Sequence, residues 1–126
     1  MQVSGETQTI VVVEDDASMS QALELILQAG GYEVVTFASA EAALEADAAA
    51  TADCLVLDVR LPGMSGFDLY RRLALAGNEL PAIFITAHDE PAAREEAERL
   101  GARSYLPKPF SGRALLDVII QVLRSD

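Results

Sequence analysis

Basic residues are scarce in this chain: nine Lys and Arg stand against twenty Asp and Glu, for a formal net charge of −11. A nucleic-acid-binding face within the segment is therefore not expected. Cysteine occurs once, at Cys54 in an apolar stretch. No disulfide framework follows from it, and it reads as a small buried core residue. No apolar run approaches the ~20 residues of a membrane helix, and the first eight residues are mostly polar, so neither a membrane span nor a signal peptide is read. The 126 residues suit one domain and leave little room for a second. What is present is 51% hydrophobic, enough for a packed core. The expectation is a soluble cytoplasmic domain.

Residues 1–8 are mostly polar and read as a flexible lead-in to a domain over 9–124. Strand one is expected at Thr9–Glu14. A helix follows from Ser18, with Ala22, Leu23, Ile26, Leu27 and Ala29 as its apolar stripe, and ends at Gly30-Gly31. Tyr32–Phe37 reads as strand two, and Ser39 as the cap of an Ala- and Glu-rich helix, Ala40–Ala48. Strand three is Asp53–Asp58; Pro62-Gly63 marks a turn, and Ser65 caps a helix through Phe67, Leu69, Leu73 and Leu75. Strand four is Ala82–Thr86, a helix covers Glu90–Leu100, strand five is Ser104–Pro107, and a last helix spans Ser111–Leu123. Strict alternation predicts an α/β fold, (βα)5, with a doubly wound parallel sheet of flavodoxin-like order 2-1-3-4-5. Pro107 agrees with that order, because proline lacks a ladder donor and strand five is an edge.

Four of these strands end on charged or hydroxyl residues: Glu14-Asp15-Asp16, Asp58, Thr86 and Lys108. In an open parallel sheet the carboxyl ends share one edge, where ligands bind. Carboxylates, a hydroxyl and an ammonium therefore meet, a set suited to a divalent cation and a phosphoryl group. Taken alone, the acid triplet would be a solvated cluster at a helix start, and Asp16 remains the member nearest that description. The other acidic cluster, 89–98, reads as a solvated helix face.

The segments VVVEDD (11–16), LVLDVRLPGMSG (55–66), FITA (84–87) and YLPKPF (105–110) together resemble the receiver domain of two-component response regulators, over about residues 9–124. The resemblance implies Asp58 as phosphoacceptor for a histidine kinase and Mg²⁺ as cofactor. Asp15 would bind the metal directly, Glu14 through a water, Asp58 as ligand and nucleophile, and Arg60 through its main-chain carbonyl. A metal is needed because an aspartate and a phosphate donor repel each other; two like charges ~4 Å apart cost about 4 kcal/mol at an effective dielectric near 20. Lys108 would hold one phosphoryl oxygen and Thr86 another, with a cis Lys108–Pro109 bond implied. Ala87 would leave room for the group. Asp58 needs no general base, being ionised near neutral pH. The reaction would be self-phosphorylation and autodephosphorylation rather than enzymatic turnover, with Arg60 and His88 setting the lifetime.

The resemblance also implies a switch in which Thr86 moves toward the phosphoryl group and Tyr105 turns inward, with the 90–100 helix responding first. That helix has a thin apolar stripe of Ala93, Ala97 and Leu100. The last helix presents an apolar arc of about 200°. Two readings stand for it: a docking or homodimer surface shared with the 90–100 helix and strand five, or core that lies deeper than a surface helix needs. Tyr105 as an ordinary strand aromatic and His88 as a plain loop residue also stay open. The acid-first order disfavours a haloacid-dehalogenase-type Mg²⁺ phosphatase, which carries its nucleophile after strand one. No required residue is missing, which disfavours a degenerate binding module. For output, the segments look similar to receivers of nitrogen-fixation-type transcription factors, implying a C-terminal DNA-binding domain outside this chain. A single-domain regulator or phosphate sink is the alternative.

Overall fold

The computed structural model describes residues 7–124. Its elements run β1 (Thr9–Val13), α1 (Ala17–Ala29), β2 (Glu33–Phe37), α2 (Ala40–Glu45), a 3₁₀ turn (Ala48–Ala50), β3 (Cys54–Asp58), α3 (Gly66–Leu75), β4 (Ala82–Thr86), α4 (Pro91–Leu100), β5 (Ser104–Pro107) and α5 (Gly112–Arg124). The five strands form one parallel sheet in the order β2-β1-β3-β4-β5, as the alternation predicts. Most of the lead-in, residues 1–6, lies outside the described residues. The Gln8 carbonyl accepts the Glu33 N–H at 3.0 Å and so extends the ladder by one bond.

The central strands are apolar throughout because both their faces are covered. Their side-chain period of two splits the core into two layers. Val11, Val13, Leu55, Leu57 and Phe84 face α2, α3 and α4, where Phe67 meets Phe84 edge-on at 4.7 Å. Ile10, Val12, Cys54, Val56, Ile83 and Ile85 face α1 and α5. Edge strands β2 and β5 are only partly covered.

Several boundaries shift for local reasons. Asp16, not a residue nearer Ser18, caps α1: its carboxylate accepts the Met19 N–H at 3.0 Å. The buried stripe of α1 narrows to Leu23 and Leu27 with Ile26 beside them, and Ala22 and Ala29 are exposed. Strand one stops at Val13, strand two starts at Glu33 and strand three at Cys54; the Asp53 carboxylate instead accepts the Thr9 N–H. Glu90 and Ser111 are caps, so α4 and α5 begin one residue later than expected. The expected continuous helix Ala40–Ala48 breaks after Glu45. Asp47 takes the left-handed conformation at φ 53°, which an Asp tolerates, and Ala48 then packs back onto the core. Propensity loses there to packing.

The apolar arc of α5 is mostly core. Leu115, Ile119 and Val122 are buried, Leu116, Val118 and Leu123 half-buried, and Ile120 is the large apolar residue of this helix that stays exposed. No helix among the described residues is long and apolar enough to cross a membrane.

Candidate functional site

Each strand end delivers its side chain to the same edge. β1 and β3 are neighbours, so Glu14 and Asp15, just past β1, face Asp58 at the end of β3. One carboxylate oxygen from each of Glu14, Asp15 and Asp58 lies within 4.8 Å of the others. Glu14 and Asp58 are buried, whereas Asp15 is exposed. Lys108, just past β5, reaches back across the edge to Glu14 Oε1 at 2.8 Å and Asp58 Oδ2 at 3.2 Å. Its bond to Pro109 is cis, as the resemblance implies.

Electrostatics follow from this packing. Burial pushes the Glu14 carboxyl above its ordinary range, against the pull of the Lys108 ammonium and the Asp16 N–H, which donates to Glu14 Oε2 at 3.1 Å. Burial works to lower the Lys108 pKa, but its bonds to Glu14 and Asp58 outweigh that and leave it raised. Three carboxylates against one ammonium leave two formal negative charges to be offset. Hard oxygen donors with that residual charge fit Mg²⁺.

The loop after β3 is shaped by close approach. A Cβ on Gly66 would stand 2.1 Å from the Asp58 carbonyl oxygen, so only glycine lets α3 start there. The Ser65 hydroxyl caps that helix through the Asp68 N–H at 3.0 Å, as expected. The Arg60 N–H donates to Asp58 Oδ1 at 3.1 Å, and its guanidinium leaves the site to pair with Glu90 at 2.9 Å. Glu41 of α2 accepts the Met64 N–H at 2.8 Å, and that bond holds its carboxyl below the usual range.

Thr86 is buried at the end of β4, and its hydroxyl is engaged within its own loop. It accepts the His88 N–H at 2.9 Å and donates to the His88 carbonyl at 3.3 Å. His88 and Ala87 are exposed. Tyr105 lies on the neighbouring strand, paired with Phe84. Its hydroxyl is buried without a hydrogen-bond partner among the described residues, and the Arg94 guanidinium covers its ring 4.7 Å from the centroid. Burial and the nearby Asp89 carboxylate keep the Tyr105 hydroxyl above its ordinary pKa. Sequence reading therefore found the cluster itself. It missed Glu90, Glu41 and Arg94, whose partners lie elsewhere in the chain or across a turn; Pro91 at the start of α4 was the one local hint for Glu90.

A doubly wound sheet with this acid–lysine edge is the arrangement of a phosphoacceptor module, and comparison with known proteins agrees. Residues 10–120 match the family model of the response regulator receiver domain, and the chain belongs to that family, whose standard mechanism is phosphorylation of an aspartate by a kinase. A Mg²⁺ phosphatase of the haloacid-dehalogenase type is not the family matched.

Among its relatives, the chain is 42% identical over 117 residues to Nodulation protein W of Bradyrhizobium diazoefficiens, covering 93% of this chain and 52% of that one. It is 35% identical over 115 residues to the transcriptional regulatory protein FixJ of the same organism, covering 91% and 56%. The solved structure of the response regulator StyR superposes with a TM-score of 0.85 at 42% identity, over 94% of this chain and 60% of that one. The chain thus spans about half the length of the curated relatives it matches. The nitrogen-fixation-type resemblance is consistent with these relatives.

Proposed function

We propose that Asp58 accepts the phosphoryl group, with Glu14, Asp15, Asp58 and the Arg60 main-chain carbonyl holding Mg²⁺. The observation that carries this reading is Lys108, a cation drawn from β5 onto both Glu14 and Asp58. In the transfer, a carboxylate oxygen of Asp58 attacks the phosphorus of a kinase phosphohistidine. A P–O bond forms, the P–N bond breaks, and the imidazole leaves. Lys108 is close enough to Asp58 to exchange its carboxylate contact for a phosphoryl oxygen. Mg²⁺, when bound, supplies the positive charge that lets an anionic donor approach an anionic acceptor. Positioning and charge neutralisation carry the rest.

Thr86 would leave the His88 backbone for the phosphoryl group, freeing the β4–α4 loop, and Tyr105 would be the aromatic partner in that switch. His88 and Arg60 would tune hydrolysis. The output face would be α4, β5 and α5, used for homodimer formation. The chemistry is one equivalent of self-phosphorylation followed by autodephosphorylation to inorganic phosphate, with no turnover of other substrates. By likeness to regulators named as transcriptional, a DNA-binding output domain would lie beyond this segment; residues 1–8 would be the lead-in and 9–124 the working domain, in the cytoplasm.

Incubation with acetyl phosphate and Mg²⁺ followed by intact mass measurement tests the acceptor. One added phosphate is expected, absent in Asp58→Asn and absent when Mg²⁺ is chelated. Uptake that persists in Asp58→Asn would refute the assignment.

A further inference from the structure

Asp58 and Thr86 end adjacent strands, β3 and β4. Across the gap between their loops runs one ion pair, Arg60 to Glu90 at 2.9 Å. Arg60 is anchored at one end, since its N–H already touches Asp58 Oδ1. Glu90 stands at the cap position of α4, yet its side chain makes no capping hydrogen bond. Its carboxylate is spent on Arg60 instead. Both partners are more than half exposed, so the pair is weak and open to exchange.

We infer that Glu90 is a positioning residue for the acceptor reaction: it holds the Arg60 guanidinium aside and thereby sets the lifetime of the phosphorylated aspartate. The inference rests on the reading of Asp58 as acceptor. A phosphoryl group on Asp58 places a doubly charged, multi-oxygen acceptor beside the backbone of Arg60. A guanidinium binds such a group in bidentate fashion and more strongly than it binds an exposed carboxylate. Glu90 competes for it. While Glu90 keeps a share of Arg60, the phosphoryl group stays open to water. With the competitor gone, Arg60 covers the phosphoryl oxygens and obstructs hydrolysis. In that hydrolysis a water oxygen attacks phosphorus, the P–O bond to Asp58 breaks, and the carboxylate, inorganic phosphate and a proton are released.

The test is a lifetime measurement. The protein and its Glu90→Gln, Arg60→Ala and double variants are loaded with acetyl phosphate and Mg²⁺, freed of donor, and followed by intact mass. Glu90→Gln keeps the side-chain shape and removes the charge at an exposed site, and uptake of one phosphate reports that each variant retains a working acceptor. Removing the competitor is expected to lengthen the lifetime about two- to fivefold, the range of an exposed ion pair. In the Arg60→Ala background the same change is expected to do nothing, and Glu90→Asp to restore part of the wild-type rate. An unchanged or shortened lifetime in Glu90→Gln overturns the inference, as does equal lengthening with and without Arg60. Wild-type protein that takes up no phosphate defeats the acceptor assignment itself, and the inference with it.

Discussion

Helices α4 and α5 flank the same edge strand, β5, but are held to the body of the domain by different forces. α5 buries Leu115, Ile119 and Val122 against the sheet. α4 fully buries Ala97 and packs Leu100 partly against the core, and most of its other attachments are charged. Glu96 takes Arg71 of α3 and Arg99 of its own helix, Glu90 takes Arg60, and Arg94 pairs with Asp89 while lying over Tyr105. Buried apolar area is costly to undo, whereas exposed ion pairs contribute about 0–1 kcal/mol each and can change partners. The helix nearest the Thr86 loop is therefore the more weakly attached of the two, and α5 the more firmly held.

Four measurements separate the two modes of attachment. Ile119→Ala removes a fully buried side chain and should cost about 2–5 kcal/mol in denaturant unfolding; a loss below 1 would mean that α5 is no better anchored than α4. Cys54 lies in the layer under α1 and α5, where burial raises its thiol pKa from an ordinary 9 to about 12. A raised pKa means that the folded state keeps a proton the unfolded state gives up. Its contribution is intact below pH 9 and is lost as pH rises toward 12, by about 1.4 kcal/mol per pH unit within that window. Comparison of the stability–pH slopes of wild type and Cys54→Ala isolates it, since Lys108 and Tyr105 also titrate high; identical slopes would mean that this layer is wetter than its burial implies.

Amide hydrogen exchange compares the two helices directly. Amides of α4 should exchange at least about tenfold faster than those of α5. Equal protection would remove the distinction. The smallest effect belongs to the charges: Glu96→Gln should cost under about 1 kcal/mol at low salt and nothing measurable near 1 M salt, where the Debye length falls to about 3 Å. A larger, salt-independent loss would show that Glu96, the least exposed acid of this network, is held by more than surface pairing.

The contrast also separates what could be read locally from what could not. The thin stripe of Ala93, Ala97 and Leu100 was visible as periodicity, and so was the wide apolar arc of α5. Which part of that arc is covered was not visible, because coverage depends on α1 packing alongside. The break at Asp47 escaped for a similar reason: the local signal favours a continuing helix, and only Ala48 folding back onto the core explains the stop. At the site, Glu14, Asp15, Asp58, Thr86 and Lys108 were found because each sits where a strand ends, a position set by local pattern. The Arg60–Glu90 bridge joins residues thirty positions apart through two loops, and the Glu41–Met64 bond joins residues twenty-three apart, with no period linking either pair.

Apolar runs and turn residues were enough to place five strands and the polar residues at their carboxyl ends, because side-chain period acts over a few residues; their order followed from the doubly wound packing that strict alternation implies, with Pro107 in agreement. Tertiary structure alone decided which cation leans on which acid, that the Thr86 hydroxyl is held by its own loop, and that the Tyr105 hydroxyl is buried with no partner among the described residues. Those outcomes turn on distances between loops, where long polar side chains have several partners of nearly equal energy and only the packed arrangement selects one.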